Sequence, residues 1–267
     1  MFNDRGPSPA SQIPEPAMDR PCFRVAIPEI PVAAGYLDEA VTNHISKRPG
    51  IAEALIRQAD MPAIREWTES VWGKASTYIQ YRKVAGAPPY LAREQRVPVR
   101  MPSAADRHLL HLRDGYHCRF CGIPVIRKEI RHRLRGVYPL ALQWGRTNAS
   151  CHAAFQAMWA QYDHILPHVR GGKNNLENIV VTCAPCNYGR MSYTLDEVGL
   201  LDPRTREPIR SEWDGLERLL HCREIAQPRE IAGKSLSLGK SLGKSLREIT
   251  QPDLSHLSET ATQARTP

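Results

Sequence analysis

Residues 163–187 have the sequence DHILPHVRGGKNNLENIVVTCAPCN, and this stretch decides the fold expected for the surrounding chain. Its apolar residues form two short groups, at 165–166 and 179–181, separated by a segment rich in Gly and Asn. This pattern predicts two short β-strands joined by a wide loop. Pro185 then suits the first turn of an α-helix. The stretch therefore predicts a β-hairpin followed by a helix.

Two CxxC pairs mark the ends of this region, Cys118 with Cys121 upstream of it and Cys183 with Cys186 inside it. Each pair presents two thiolates from one turn, and four thiolates complete a tetrahedral zinc site. A single CxxC pair could be a redox site, but two pairs without a thioredoxin-like βαβ pattern favour a metal. We therefore expect a structural Zn²⁺ ion whose binding energy contributes to folding.

Three polar residues, Asp163, His164 and Asn187, are placed by the predicted hairpin and helix so that they can converge at one end. An Asp carboxylate and an Asn carbonyl are hard oxygen ligands that suit Mg²⁺ or Mn²⁺. A histidine can take a proton from an attacking water at physiological pH. These residue types predict a phosphodiesterase site with one catalytic divalent ion.

Together with CRFCG at 118–122, this stretch resembles the HNH endonucleases of the ββα-metal fold, in the subgroup held by four cysteines. The resemblance covers residues 113–194. It implies that His164 is the general base and that Asp163 is a metal ligand. It also implies that Asn178 braces the loop and orients His164, and that Asn187 is the second metal ligand where other members have His.

The resemblance also implies where substrate binds. Arg190 stands where the family often has a basic residue near the scissile phosphate, and it follows Asn187 by three residues on one face of the predicted helix. We add three loop residues as candidate substrate contacts: His168, Arg170 and Lys173. For His168 the alternative is an ordinary exposed loop histidine.

A basic insertion at 123–162 departs from the family pattern, which runs from the first CxxC pair to the Asp-His pair in a short hairpin. It contains RKEIRHRLR at 127–135 and a predicted helix from about Ala149 to Ala160. Between Gly122 and Tyr162 there are six Lys or Arg residues and one Glu. Clustered cations suit a surface that faces DNA, and a solvated helix face is the alternative.

The predicted fold class is α+β, with a helical N-terminal region before a zinc-stapled ββα-metal nuclease domain. Hydrophobic periodicity and composition divide the whole chain. The predicted segments are a disordered arm at 1–35, a helical region at 36–84, a proline-rich connector at 85–105 that extends over the surface of the next domain, the nuclease domain at 106–200, a C-terminal helix at 201–226 and a disordered low-complexity tail at 227–267.

The tail contains GKSL three times, but a Walker phosphate loop needs a glycine five residues before its GK glycine. Pro228, Lys234 and Leu238 occupy those positions, so we reject nucleotide binding.

Composition narrows the class of protein further. The 267 residues carry a net charge of +8, which favours a polyanionic partner. No stretch is apolar enough for a membrane helix or a secretory signal, so we expect a cytoplasmic protein without membrane association. Seven cysteines are an odd number, which disfavours a disulfide framework. The three cysteines outside CxxC pairs are expected to be ordinary thiols: Cys22, Cys151 and Cys222.

The expected function is divalent-metal-dependent hydrolysis of phosphodiester bonds in double-stranded DNA, with His164 as the base. A zinc-held nucleic-acid-binding module without catalysis is the first alternative, because zinc ligation alone explains the paired cysteines. An RNA nuclease is the second, because the site recognises phosphate and contains no group for a 2′-hydroxyl.

Overall fold

The structure is a computed structural model that describes residues 19–72 and 76–222. The predicted tail at 227–267 and the first 18 residues of the predicted arm lie outside the described residues. The described helices and strands, in chain order, are α1 (Glu29–Ile45), α2 (Pro49–Gln58), α3 (Pro62–Val71), α4 (Ala104–Asp114), α5 (Lys128–Val137), α6 (Ala153–Ala157), β1 (Ala160–His164), β2 (Ile179–Cys183), α7 (Ala184–Arg190), α8 (Leu195–Val198) and α9 (Arg218–His221).

Helices α1 to α3 follow the apolar periodicity of their sequence. Proline is the first residue of both α2 and α3. A backbone N–H at this position has no partner within the helix, so proline loses no hydrogen bond there. Helix α1 begins at Glu29, seven residues before the predicted start at 36, so part of the predicted arm is helical. It buries one face: Ile30, Ala33, Ala34, Leu37, Ala40 and Val41.

The hairpin consists of β1 and β2, which pair antiparallel with Ala160 opposite Cys183 and His164 opposite Ile179. The first strand was predicted at 165–166, and this placement is wrong because the strand ends at His164. The Ile165 N–H instead donates to Asn178 O at 2.7 Å, and Pro167 then turns the chain into the loop. The helix predicted from Ala149 to Ala160 is confined to α6.

Helix α7 begins directly after β2 and packs against both strands. Gly189 lies against the end of α3, where an added Cβ would approach Val71 O to 2.9 Å. The order strand, loop, strand, helix is the arrangement that the sequence predicts, and the α+β prediction is confirmed.

The proline-rich connector contains one 3₁₀ turn, Arg93–Gln95, and ends at Ser103, which caps α4. Helix α4 lies beside the hairpin because its Asp114 carboxylate accepts a hydrogen bond from Val181 N–H at 2.8 Å. The long C-terminal helix predicted at 201–226 is wrong for the described part of that segment. Pro203, Pro208 and Gly215 interrupt it, leaving a 3₁₀ turn and the short α9.

A single hydrophobic core extends from α1 through the hairpin to α9, and all described residues belong to one compact unit. Its largest fully buried side chains come from both halves, Trp67 from α3 and Phe155 from α6 among them. No helix in the described ranges is both long and apolar enough to cross a membrane.

Candidate active site and cysteine cluster

The four paired cysteines converge. Their Sγ atoms all lie within 4.8 Å of one another, and those of Cys121 and Cys183 are 3.6 Å apart. A tight turn presents the first pair, because Gly122 N–H donates to Cys118 O at 2.9 Å and Gly122 adopts a left-handed φ of 79°. The second pair comes from the junction of β2 and α7, with Cys183 ending the strand and Cys186 on the helix.

Four thiolates around a tetrahedral Zn²⁺, each at about 2.3 Å, would have sulfurs about 3.8 Å apart, so the cluster fits that ion. It is the one group of three or more His, Cys, Asp or Glu within the described ranges that is arranged to share a metal. Cys22 stays outside it. Burial, followed by the charges of Cys121 and Cys118, raises the pKa of Cys22 to about 11, as expected for an inert thiol.

Asp163 is paired with Arg190 inside the protein. Arg190 Nε donates to Asp163 Oδ2 at 2.7 Å and Arg190 Nη2 donates to Oδ1, which makes the contact bidentate. Asp163 is 4% exposed and Arg190 is fully buried. Burial raises the pKa of the Asp163 carboxyl, and the charge and hydrogen bonds of Arg190 offset part of that rise.

Arg190 also donates to the backbone on both sides of this contact. Nη2 donates to His164 O, and Nη1 donates to Tyr193 O at 2.6 Å. Arg190 was predicted to contact the substrate phosphate, and the structure contradicts this because the side chain has no exposed surface. Its donors instead join the end of β1 to the C-terminal end of α7.

His164 follows Asp163 at the end of β1 and is 6% exposed. Its Nε2 atom is buried and has no hydrogen-bond partner within the described part of the chain. Burial is the first cause that lowers the pKa of His164 to about 4, the charges of His168, Arg100 and Arg190 act in the same direction, and the neighbouring Asn174 side chain opposes them. The imidazole is therefore neutral at physiological pH and able to accept a proton.

Asn187 lies on α7, one helical turn before Arg190, so both side chains are on the face that meets β1. Asn187 is half-buried, and its side chain forms no hydrogen bond with any residue that the structure describes. The amide is thus unengaged among the described residues, and a cation shared with Asp163 stays a prediction.

Asn178 ties the two ends of the loop together. Its Oδ1 accepts a hydrogen bond from Leu166 N–H at 2.8 Å, and its Nδ2 donates to Leu166 O at 3.1 Å and to Lys173 O at 2.9 Å. With the Ile165 N–H bonded to Asn178 O, the chain immediately after His164 is held in one path. Asn178 therefore braces the loop, and its role in orienting His164 stays a prediction.

The three loop residues predicted to contact substrate have different surroundings in the structure. Arg170 forms an ion pair with Glu197 at 2.9 Å and donates to Ser192 O and Pro88 O, so its guanidinium is already engaged, which contradicts its predicted contact with substrate. His168 Nε2 is bonded to Val97 O at 2.7 Å. Lys173 is exposed and is the predicted loop cation that remains open to solvent. Burial of arginines in ion pairs therefore leaves the site with fewer accessible charges than the sequence pattern indicates.

The connector lies across this loop, and sequence reasoning did not identify its contacts. Leu91 N–H donates to Val169 O at 2.8 Å, and Arg170 Nη1 donates to Pro88 O at 2.7 Å. The Tyr90 ring covers the Arg170 guanidinium at 4.3 Å. The prolines of this segment indicate an extended path, but they do not indicate which surface the path covers.

The basic insertion contributes fewer free charges than its sequence suggests. Arg131 is buried, with its guanidinium 3.6 Å from the centroid of the Trp144 ring. Arg127 pairs with Glu217 at 2.5 Å, and Arg133 donates to a backbone carbonyl. The exposed cations of the insertion are Lys128, Arg135 and Arg146.

Comparison with known proteins gives one match. The family model for HNH endonucleases matches residues 149–197, which include α6, the hairpin and α7. No curated protein matches the chain, and no solved structure does. The resemblance seen in the sequence is thereby confirmed for this part. Residues 149–197 are thus similar to the HNH endonuclease family, and the four-cysteine cluster fits its zinc-binding subgroup.

Proposed function

We propose that the protein is a divalent-metal-dependent endonuclease that hydrolyses phosphodiester bonds in double-stranded DNA. The observation that carries this proposal is His164. It is a neutral, buried imidazole with an unpartnered nitrogen in the described part of the chain, located beside Asp163 within a segment of the HNH family. A binding module has no need for such a group, whereas hydrolysis needs a base that is unprotonated at physiological pH.

Each residue of the site has a distinct part in this proposal. His164 accepts the proton of the attacking water. Asn178 holds the backbone that follows His164, and Arg190 holds His164 O and the Asp163 carboxylate, so the base is positioned from two sides. Such preorganisation lowers the cost of reaching the reactive geometry.

The donor set fits a hard divalent cation such as Mg²⁺ or Mn²⁺. Asp163 and Asn187 would hold the ion. The carboxylate offers about four acceptor sites, of which Arg190 takes two and the His164 backbone one, and the Asn187 amide is unpartnered among the described residues. When bound, the ion supplies electrostatic stabilisation of the charge on the phosphate and the leaving oxygen. The zinc expected at the four cysteines is structural, since all four of its positions are filled by sulfur.

Plasmid nicking tests the proposal. We expect purified protein to nick supercoiled DNA with Mg²⁺ or Mn²⁺ and to lose this activity in excess chelator. Replacing the base (His164→Ala) should reduce the rate by a factor of about 10² to 10⁴. The matched control is His108→Ala, since His108 is an exposed histidine of α4. Equal rates for His164→Ala and wild type would show that His164 is not the base.

A zinc-held binding module without catalysis is the second candidate, favoured by the net charge of +8 and by the cysteine cluster. Tight DNA binding with no cleavage under any divalent ion would support it. RNA is the third possibility for the substrate class. Cleavage of a single-stranded or duplex RNA of the same sequence at a higher rate than the DNA would replace DNA by RNA in the proposal.

A further inference from the structure

The loop that holds the candidate base is contacted by the connector at two points on either side of Arg100. Val97 O is bonded to His168 Nε2 at 2.7 Å, and the His168 ring lies 5.9 Å from the His164 ring. Met101 O accepts a hydrogen bond from Asn174 Nδ2 at 3.1 Å. The connector therefore contacts the loop of the candidate base at Val97 and at Met101, and Arg100 lies between these two residues in the sequence.

Arg100 is exposed, and no hydrogen bond or ion pair engages its guanidinium within the described ranges. Its place along the chain follows from the two contacts above. Arg100 comes three residues after Val97 and directly before Met101, so its backbone is held against the loop that carries His164.

Two of the three cations that the sequence pattern places at the substrate, all but Lys173, are engaged within the protein. Arg190 is paired with Asp163, and Arg170 is paired with Glu197. A phosphodiester brings a negative charge into the site, and a guanidinium binds two phosphate oxygens at once through its planar donors. A free arginine beside the base is suited to this contact.

We propose that Arg100 of the connector is the arginine that binds a backbone phosphate of the nucleic acid at the entrance to His164, with Lys173 as the second exposed cation across the Met101–Asn174 contact. This assignment rests on the proposed nuclease function and makes the connector part of the substrate-binding surface. The segment before α4 then contributes to activity although it lies outside residues 149–197.

Salt-dependent DNA binding tests the assignment without requiring cleavage. Fluorescence anisotropy with a labelled duplex would be measured in the His164→Ala background at several salt concentrations. Arg100→Ala should weaken binding about tenfold and reduce the slope of log K against log salt by about one, as expected for one lost phosphate contact. Arg100→Lys should keep the slope and recover part of the affinity, because it keeps the charge but loses the planar donors.

The matched control is Arg93→Ala, an exposed arginine of the same connector in its 3₁₀ turn. We expect a change of no more than about twofold in binding and no change in slope. Equal losses for Arg100→Ala and Arg93→Ala, in a protein whose wild type cleaves DNA, would overturn the Arg100 assignment alone. Absence of both cleavage and binding by the wild type would overturn the proposed function and the assignment with it.

Discussion

At the residue scale, the ion pair of Asp163 and Arg190 determines how the site is held. Both side chains are buried, and the guanidinium also donates to backbone carbonyls of His164 and Tyr193. A buried pair gains little net stability over apolar residues, but removing one partner leaves a charge without compensation. Arg190 therefore holds Asp163 and the backbone of His164 in place, and its guanidinium is not free for another ligand.

Replacing this arginine (Arg190→Ala) should lower the free energy of unfolding by about 3 to 5 kcal/mol, because the Asp163 carboxylate would remain buried without a partner. Urea denaturation measures the change. The control is Arg57→Ala, which removes an exposed pair with Glu53 and should cost less than about 1 kcal/mol. A similar loss of unfolding free energy in the two variants would show that burial of the Asp163–Arg190 pair does not matter.

His111 gives a prediction about pH. It is buried, stacks on Tyr116 at 4.6 Å and bonds the Tyr162 hydroxyl at 3.1 Å. Burial, and then the charge of Arg127, lowers its pKa to about 4, against about 6.5 in the unfolded chain. Between these pH values the unfolded chain binds a proton that the folded chain does not. Stability should therefore fall as the pH drops from about 6.5 to about 4, by up to roughly 3 kcal/mol from this group.

Urea denaturation at a series of pH values checks this expectation. The variant His111→Phe keeps an aromatic ring against Tyr116 but cannot titrate, so the free energy of unfolding should depend less steeply on pH in this range. His108→Gln serves as the control, because His108 is exposed. An acid slope in His111→Phe as steep as in the wild type would show that His111 is not responsible.

At the scale of elements, the loop between β1 and β2 is packed so tightly that one position accepts no side chain. An added Cβ at Gly172 would lie 1.8 Å from Leu166 O and 2.9 Å from Asn178 Nδ2. These are the atoms that form the brace behind His164. The loop is long, but its path is determined by this contact.

Gly172→Ala should therefore destabilise the protein by about 2 kcal/mol or more and reduce nicking further than the stability loss explains, since the brace must move. The control is Gly35→Ala in the middle of α1, where nothing lies within 4 Å of the added Cβ. That change should stabilise the protein by about 0.5 to 1 kcal/mol, because alanine favours a helix. Thermal melts and nicking assays on both variants test the contrast.

The cysteine cluster joins the turn after α4 to the junction of β2 and α7. Loss of one thiolate (Cys118→Ser or Cys183→Ser) should release the metal and cost about 3 kcal/mol or more, which for a unit of this size is about 10 °C in Tm. Cys222→Ser, outside the cluster, should change neither the melt nor the zinc content. Asp163→Ala leaves Arg190 without its buried partner and should also lower stability, but the protein that remains folded should keep about one zinc per chain by atomic emission, since the change does not touch the sulfurs.

At the scale of the whole molecule, the N-terminal helices and the HNH segment share their core and are linked by polar contacts. His152 Nε2 is bonded to Ile56 O at 2.8 Å, and Ala153 N–H donates to the Asp60 carboxylate at 2.6 Å. Arg65 donates to Asn148 O at 2.6 Å. Helices α2 and α3 therefore support the start of α6 directly.

Because of this shared core, we expect one cooperative thermal transition. Loss of helical circular dichroism and release of zinc to a chromophoric chelator should occur at the same temperature. Ile56 is a fully buried residue of α2. Ile56→Ala should therefore lower the midpoint temperature of helix unfolding and that of zinc release together. Zinc release that remains at the wild-type temperature while the helices melt earlier would show two independent units.

The cysteine pairs, the Asp-His pair and the succession of hairpin and helix were accessible from the sequence, because they depend on residue types at short spacing. Strand limits were less accessible, since Ile165 and Leu166 are apolar residues of the loop entrance and strand β1 lies before them. The C-terminal helix was overpredicted because short-range apolar patterns do not reveal how Pro and Gly interrupt it in context.

The sequence alone was enough to find the residues on which the proposed chemistry depends: four cysteines that the structure brings together, and an imidazole next to oxygen donors. Only the three-dimensional arrangement decided which cations are available to a substrate. Arg190 and Arg170 are paired with carboxylates from other elements, while hydrogen bonds from His168 and Asn174 hold the connector segment that contains Arg100 against the loop. The physical reason is that a charge pattern along the chain does not record long-range pairing, and pairing and burial determine whether an arginine is free.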